Sequence, residues 1–221
     1  MKRLIIIGSG GHGREVAEIV RHQIKGRTDI RLEGFVDDNP KLHGNIFNGL
    51  PVLGDLNLLK DLDRSTTEVI CAIGSPPICR RIVQKLQSIK ISFFNAISPL
   101  SYITSFATLG RGVTLFPLTA VSTNVEIGDY SIVNIAATIS HDTKIGPYCN
   151  INPGAQLAGN VTVGEGCYIG MGAKIIQGIS IGPWTVVGAG AAVVRDLPAN
   201  VTAVGVPARV IKTKEEFWFE K

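Results

Sequence analysis

At 221 residues, with 45% hydrophobic and 18% charged side chains, the chain has material for one large or two small packed domains and lacks the composition of a disordered segment. Its formal net charge of +4 suits a small anionic ligand such as a nucleotide or coenzyme A, and is too weak to mark a nucleic-acid partner. Four cysteines (Cys71, Cys79, Cys149, Cys167) form no C-x-x-C pair, which excludes a cysteine zinc site or disulfide framework and leaves reduced thiols in a cytoplasmic protein as the expectation.

Residues 3–7 read as a strand. The apolar run Leu4-Ile5-Ile6-Ile7 is too short for a signal peptide or a membrane span. Gly8-Ser9-Gly10-Gly11-His12-Gly13 follows and spells G-x-G-x-x-G between that strand and a helix expected over 12–23, with Val16, Ala17, Ile19 and Val20 on its apolar side. A second strand over 31–36 ends in Asp37-Asp38, the acidic position of a dinucleotide fingerprint. A third, over 68–73, ends at Gly74. Ser75-Pro76-Pro77 then opens a helix through about residue 86, with proline in its first turn. Strands alternating with helices imply a small parallel sheet. Only half of a two-part dinucleotide fold fits into residues 1–96, which argues against a complete NAD site. The glycines then either let helix and strand pack closely or turn backbone N–H groups toward an anionic or sugar ligand.

From residue 97 the pattern changes. Every sixth residue from Ile97 to Val193 is aliphatic, seventeen positions of seventeen. The residue four further on is small or β-branched, and glycine often follows the aliphatic, as in Ile127-Gly128 and Ile145-Gly146. Six matches neither the helical nor the strand period; it matches a short strand and a tight bend, with glycine expected to relieve the bend. Three units close a triangular coil of eighteen residues, and stacked coils bury a continuous ladder. Cys149 and Cys167, eighteen apart, fall inside as filler. His141, two past the inward Ile139 and followed by Asp142, falls at an outward turn. An imidazole there can take a proton near neutral pH, and the carboxylate beside it can fix its tautomer. The segment 214–219, aromatic and charged, is expected to form an ordinary terminal helix.

These features together resemble a known family. The period of six is that of the hexapeptide-repeat proteins, whose solenoid is a left-handed parallel β-helix. The I-I-G-S-G-G-H-G opening, Val36-Asp37-Asp38, Ala72-Ile73-Gly74 and a solenoid carrying His-Asp look like bacterial sugar acetyltransferases, of the sialic acid O-acetyltransferase and nucleotide-linked 4-amino-4,6-dideoxysugar N-acetyltransferase kind. The resemblance implies an α/β half-Rossmann domain over 1–96 and a β-helix acyltransferase domain over 97–221. It implies transfer from acetyl-CoA without a metal, in a homotrimer, with His141 as general base and Asp142 as its orienter. Asn150, Met171 and Ala189 fall on acetyl-CoA contacts. Gly10, Gly11, His12, Asp37, Asp38 and Gly74 fall on the nucleotide-sugar site, with Asn134 as a lining residue. O-acetylation of a sugar hydroxyl and non-catalytic binding of a nucleotide sugar are the competing expectations.

Overall fold

The structure, a computed structural model, describes residues 1–216 and 218–220. The first part is an α/β layer built from β1 (Lys2–Ile7), α1 (Gly11–Gln23), β2 (Ile30–Val36), β3 (Ile46–Phe47), β4 (Leu50–Gly54), β5 (Thr67–Cys71), α2 (Pro76–Gln87) and β6 (Ser92–Phe93). The sheet order is β3-β4-β2-β1-β5-β6, parallel except for the β3–β4 pair. The expected apolar side of α1 is buried, all four residues of it. β5 ends at Cys71 rather than at 73, because the chain peels away there to bring Gly74 against the second part of the molecule, where its carbonyl accepts from Asn150. The sequence showed no sign of β3, β4 and β6. Two of them hold two residues each, and Pro51 breaks the strand pattern of the third.

The second part is a solenoid. Among the described residues, seventeen two-residue strands run from β7 (Ala96–Ile97) to β23 (Ala192–Val193), six residues apart. They stack into three parallel faces. The first face carries the strands of Ile97, Leu115, Val133, Ile151, Ile169 and Val187, and is extended by β24 (Val201–Val204) and β25 (Arg209–Thr213). The second runs from Ile103 to Val193 and the third from Leu109 to Ile181. The aliphatic of every strand from Leu115 onward is buried; Ile97, Ile103 and Leu109, at the open end, are partly so.

The turns depart from expectation in one respect. The glycines that follow the aliphatics do not take the left-handed conformation. That conformation falls three residues past each aliphatic, at every sixth residue from Gly112 to Gly190, and eight of these fourteen residues are not glycine. The left-handed region costs a non-glycine residue about 1–2 kcal/mol. Each coil offsets it with a backbone bond to the coil before: Tyr130 N–H donates to the Arg111 carbonyl at 2.8 Å, Asp142 N–H to Thr123 at 3.1 Å. The glycines after the aliphatics serve close stacking instead. A Cβ on Gly146 would stand 2.7 Å from the Glu165 nitrogen, and one on Gly128 would stand 2.6 Å from that of Pro147.

The α/β layer rests on the first face. Ala96, Phe116 and Ile132 share a core with Leu4, Ile6 and the α1 residues Val16 and Val20. Gln23, the last residue of α1, donates to the Asn95 carbonyl at 3.1 Å and accepts from Ile97 N–H at 2.9 Å, which fixes the helix to the first rung. The predicted terminal helix is a single 3-10 turn over Trp218–Glu220, and Phe217 of that segment lies outside the described residues.

The opening glycines divide into two pairs. A Cβ on Gly13 would fall 1.9 Å from the Gly8 carbonyl oxygen, whereas Gly11 would meet only the tip of Arg14 at 4.0 Å. Gly13→Ala therefore lowers stability by about 1–3 kcal/mol through overpacking, although alanine favours a helix interior. Gly11→Ala leaves it unchanged or raises it by up to about 1 kcal/mol. Denaturant midpoints of the two variants separate the pair.

Candidate active site

Two places carry chemistry. The first is the crevice at the carboxyl ends of β1, β2 and β5, where doubly wound sheets bind ligands. Gly10 caps α1 with its backbone alone, the first turn holds no acidic side chain, and a Cβ on Gly10 would meet nothing within 4 Å. Gly10 and Gly11 thus leave a helix N-terminus bare, which suits an anionic group. Asp37 works inside this loop. One carboxylate oxygen accepts from Ser9 N–H at 2.9 Å and from the Ser9 hydroxyl at 2.8 Å, and the other accepts from Asn39 N–H at 3.0 Å. Burial works to raise its pKa, but the Ser9 and Asn39 donors outweigh it and hold the carboxyl below its ordinary value. Asp38 is exposed and accepts from Leu56 N–H at 3.2 Å. Asp37 accordingly shapes the loop, while Asp38 stands at its rim.

His12 does not face water. It stacks on Phe116 of the solenoid with ring centroids 5.2 Å apart, and its Nε2 is buried with no hydrogen-bond partner. Burial lowers its pKa, and Glu15, 3.9 Å away and more than half exposed, does not reverse this. Gly74 completes the crevice. Its carbonyl accepts from Asn150 Nδ2 at 2.7 Å, and the Asn150 Oδ1 is likewise buried without a partner. Asn150 is outward on the solenoid's first face, yet 4% exposed, because the α/β layer covers it. The structure therefore places Asn150 with Gly74, on the crevice side. Asn134, 8% exposed, follows the adjacent strand and accepts from Ile135 N–H at 2.7 Å.

The second place is the turn between the second and third faces. His141 Nδ1 and the Asp142 carboxylate are 2.8 Å apart, and the other Asp142 oxygen accepts from Asn124 Nδ2 at 3.0 Å. The Asn124 donor, then His141, hold the Asp142 carboxyl below its ordinary value, so it stays ionised at neutral pH and fixes Nδ1 as the protonated nitrogen. The imidazole lies over Gly159, where a Cβ would approach its carbons and nitrogens to 2.5–3.1 Å. Asn124 and Gly159 escaped the sequence reading. Each sits eighteen residues from a dyad member, and so in the same column of the stack. The same column logic links Phe116 to Asn134.

Met171 and Ala189 lie at a different corner, between the first and second faces. Met171 is 59% exposed. The glycines beside them, Gly154, Gly172 and Gly190, are one coil apart, and a Cβ on any of them would meet open space. This corner is a bare backbone track. Among the described residues no group of side chains could hold a metal, and no helix is long and apolar enough to cross a membrane.

Residues 3–86 match the PglD N-terminal domain, and residues 142–176 and 160–195 match the six-repeat bacterial transferase hexapeptide model. Perosamine N-acetyltransferase from Caulobacter crescentus, solved as a His-to-Asn mutant in complex with CoA and GDP-perosamine, is 35% identical with a TM-score of 0.89, over 96% of this chain and 98% of that one. The acetyltransferase domain of PglB from Neisseria gonorrhoeae is 31% identical with a TM-score of 0.87, over 96% and 100%. A UDP-N-acetylbacillosamine N-acetyltransferase from Bacillus subtilis is 34% identical over 119 residues, 52% of this chain and 51% of that protein. The chain spans between 24% and 51% of the length of the curated relatives it matches. The repeats make the protein a hexapeptide transferase. With its first part included, the chain belongs to the hexapeptide-repeat acetyltransferases that carry a PglD-type N-terminal domain, and with that family comes the left hand of its β-helix.

His12, half-buried and with its pKa lowered by that burial, sets a pH dependence. As pH falls through the ordinary histidine pKa of about 6.5 the unfolded chain takes up a proton more readily than the folded chain does, so stability falls as pH falls. His12→Phe keeps the stack on Phe116 and removes the titration. Its melting temperature should drop less than that of wild type between pH 7.5 and pH 5.5.

Proposed function

We propose that the protein transfers the acetyl group of acetyl-CoA to the 4-amino group of a nucleotide-linked dideoxy amino sugar, in a site assembled from two copies of the chain. One observation carries this reading. The sugar crevice lies on the solenoid's first face, whereas His141 occupies the one corner of the triangle that this face does not touch. A sugar seated by Gly10, Gly11, His12 and Gly74, with Asp38 at the rim, therefore meets the His141 of a neighbouring copy. A closed ring of like copies supplies such a neighbour to every crevice. A homotrimer of 23.6 kDa chains has a mass of about 71 kDa.

The chemistry follows from the groups present. The sugar amine attacks the thioester carbonyl, and its proton passes to the free Nε2 of His141. The tetrahedral intermediate collapses with loss of the CoA thiolate, which regains a proton. Asp142, ionised and tied to Asn124, stabilises the imidazolium that forms. The pantetheine arm runs along the glycine track, past Met171 and Ala189. The reaction is direct, since all four cysteines are buried and burial pushes the Cys149 thiol well up. Asn134 lines the sugar side, and Asn150 holds the crevice wall through Gly74 rather than reaching the thioester. The relatives solved with CoA and a GDP-linked amino sugar favour N-acetylation over O-acetylation and over non-catalytic binding. A nucleotide-linked acetamido sugar is an activated monomer, and on that chemistry we assign the reaction to the supply of monomers for polysaccharide biosynthesis in the cytoplasm.

Removing the base tests the dyad. His141→Ala should fold normally, because the ring rests on Gly159 at the surface and fills no core volume, and kcat should fall by about 10²–10⁴-fold. Asp142→Asn should cost less and fold well, since asparagine tolerates the left-handed turn. The acid limb of the wild-type pH–rate profile should vanish in His141→Ala. Near wild-type kcat in His141→Ala at neutral pH would overturn the assignment.

Mixing tests the shared site. A Cβ at Gly10 would meet nothing within 4 Å, so Gly10→Phe starts its side chain in open space at the helix N-terminus and should raise the sugar KM while leaving the acetyl-CoA KM alone. Assayed at sugar concentrations far below the KM of the Gly10→Phe enzyme, where each variant alone is nearly silent, Gly10→Phe and His141→Ala chains should regain about a quarter of wild-type activity when unfolded and reassembled together in equal amounts, as random mixing in a ring requires. No recovery in mixed rings of the correct mass would exclude the two-copy site.

A further inference from the structure

The molecule holds a second concentration of side chains that acetyl transfer does not use. Arg80, in the second turn of α2, is gripped from three sides. Its Nε lies 3.5 Å from Glu165 of the solenoid, and its Nη1 donates to Glu220 at 3.3 Å. Its guanidinium stands 5.7 Å from the ring centre of Trp184 and 5.1 Å from that of Phe219. Phe219 in turn stacks on Trp184, centroids 3.8 Å apart and planes 13° apart. Trp184 is 5% exposed and covers Gly166, one coil before it, where a Cβ would strike the indole at 2.3 Å. The segment after β25 thus crosses back along the solenoid and closes over α2. With both glutamates on it, Arg80 has little free charge to offer a ligand.

The start of α2, one turn before Arg80, explains what this closure does. The helix starts at Pro76, two residues past Gly74, whose carbonyl is the crevice contact of Asn150. On either side of Arg80 in the helix, Cys79 and Val83 pack against Tyr130. The helix is therefore fastened to the solenoid at the crevice by one hydrogen bond, and a turn later by the Arg80 cluster.

We propose that residues 218–220 form a strap that acts through Arg80 to hold the first turn of α2, and with it the Gly74 wall of the sugar crevice, in register. Arg80 is a positioning residue for the nucleotide-linked sugar; this part rests on the crevice being the sugar site.

The test uses Phe219→Ala in the full chain, with Phe219→Tyr as the conservative control and the exposed Glu220→Gln as a second, milder variant. The chain's two tryptophans, Trp184 and Trp218, both lie in the cluster, so emission reports the strap directly. Phe219→Ala should shift emission to the red and speed amide exchange over residues 74–80 by about tenfold, leaving exchange over 138–160 unchanged. The sugar KM should rise about five- to tenfold, with the acetyl-CoA KM constant and kcat within about twofold; Phe219→Tyr should restore all of these, and Glu220→Gln should move them part of the way. A red shift without faster exchange at 74–80 overturns the strap. Faster exchange with an unchanged sugar KM overturns the positioning role. Should the wild type transfer no acetyl group at all, the reading of the crevice fails, while emission and exchange still decide the strap.

Discussion

A backbone turn to the left every sixth residue is the constraint on which this molecule depends. It ends each two-residue strand, sends the next aliphatic inward and keeps the coil at eighteen residues, so that like positions stack. Glycine occupies fewer than half of these turns, so the coil-to-coil hydrogen bonds and the buried ladder must carry the strain. On the third face glycine also follows every aliphatic, at Gly110, Gly128, Gly146, Gly164 and Gly182, where the next coil comes too close for a Cβ. The stack then acts as a ruler. It sets Asn124, Asp142 and Asn160 in one column, with His141 over Gly159, and gives the dyad a rigid seat without a packed pocket around it.

The same geometry decides how the two substrates meet. The α/β layer buries part of the first face and so fixes the crevice there; Gln23 and Asn150 are its fastenings. The dyad sits on the corner opposite. A single chain keeps the crevice and the His141–Asp142 pair apart; under the proposed reaction the proximity that supplies much of the rate in a two-substrate transfer would come with assembly. The left-handed residue Asp142 is one of a regular series, so the dyad asks of the backbone no more than any other turn does.

The repeat was legible in full, because an inward aliphatic every six residues has no other periodic explanation, and each of the seventeen lies on a strand. β1, α1, β2, β5 and α2 were legible because each is long enough to show a period or carries its own start signal. The two-residue edge strands were not, since their pairing is decided by tertiary contact. His141 and Asp142 were legible as neighbours in sequence. Their supports Asn124 and Gly159 were not, because adjacency in the stack is adjacency at a distance of eighteen. Asn150 was read through family likeness as a cofactor contact; its burial by a layer folded from residues far earlier in the chain has no local signature. The role of the turn glycines was misjudged for a related reason. Glycine signals either a left-handed turn or a close approach, and only the neighbouring coil tells which.

The opening motif shows the same ambiguity resolved within six residues. Gly8 and Gly13 are needed by the fold: a Cβ on Gly8 would meet Ile73 at 2.8 Å, and one on Gly13 would meet the Gly8 carbonyl. Gly10 and Gly11 are needed by nothing inside the chain. A motif kept only for helix-to-strand packing would have no use for the second pair, and a side chain at either place would cover the helix N-terminus. Two orphaned polar atoms, His12 Nε2 and Asn150 Oδ1, belong to the residues that border this opening. Burying a polar atom without a partner costs about 1–3 kcal/mol. A ligand carrying hydroxyl and amine groups that satisfied both would recover that cost on binding, as the flat, apolar part of a nicotinamide dinucleotide would not, and this agrees with the proposed sugar substrate.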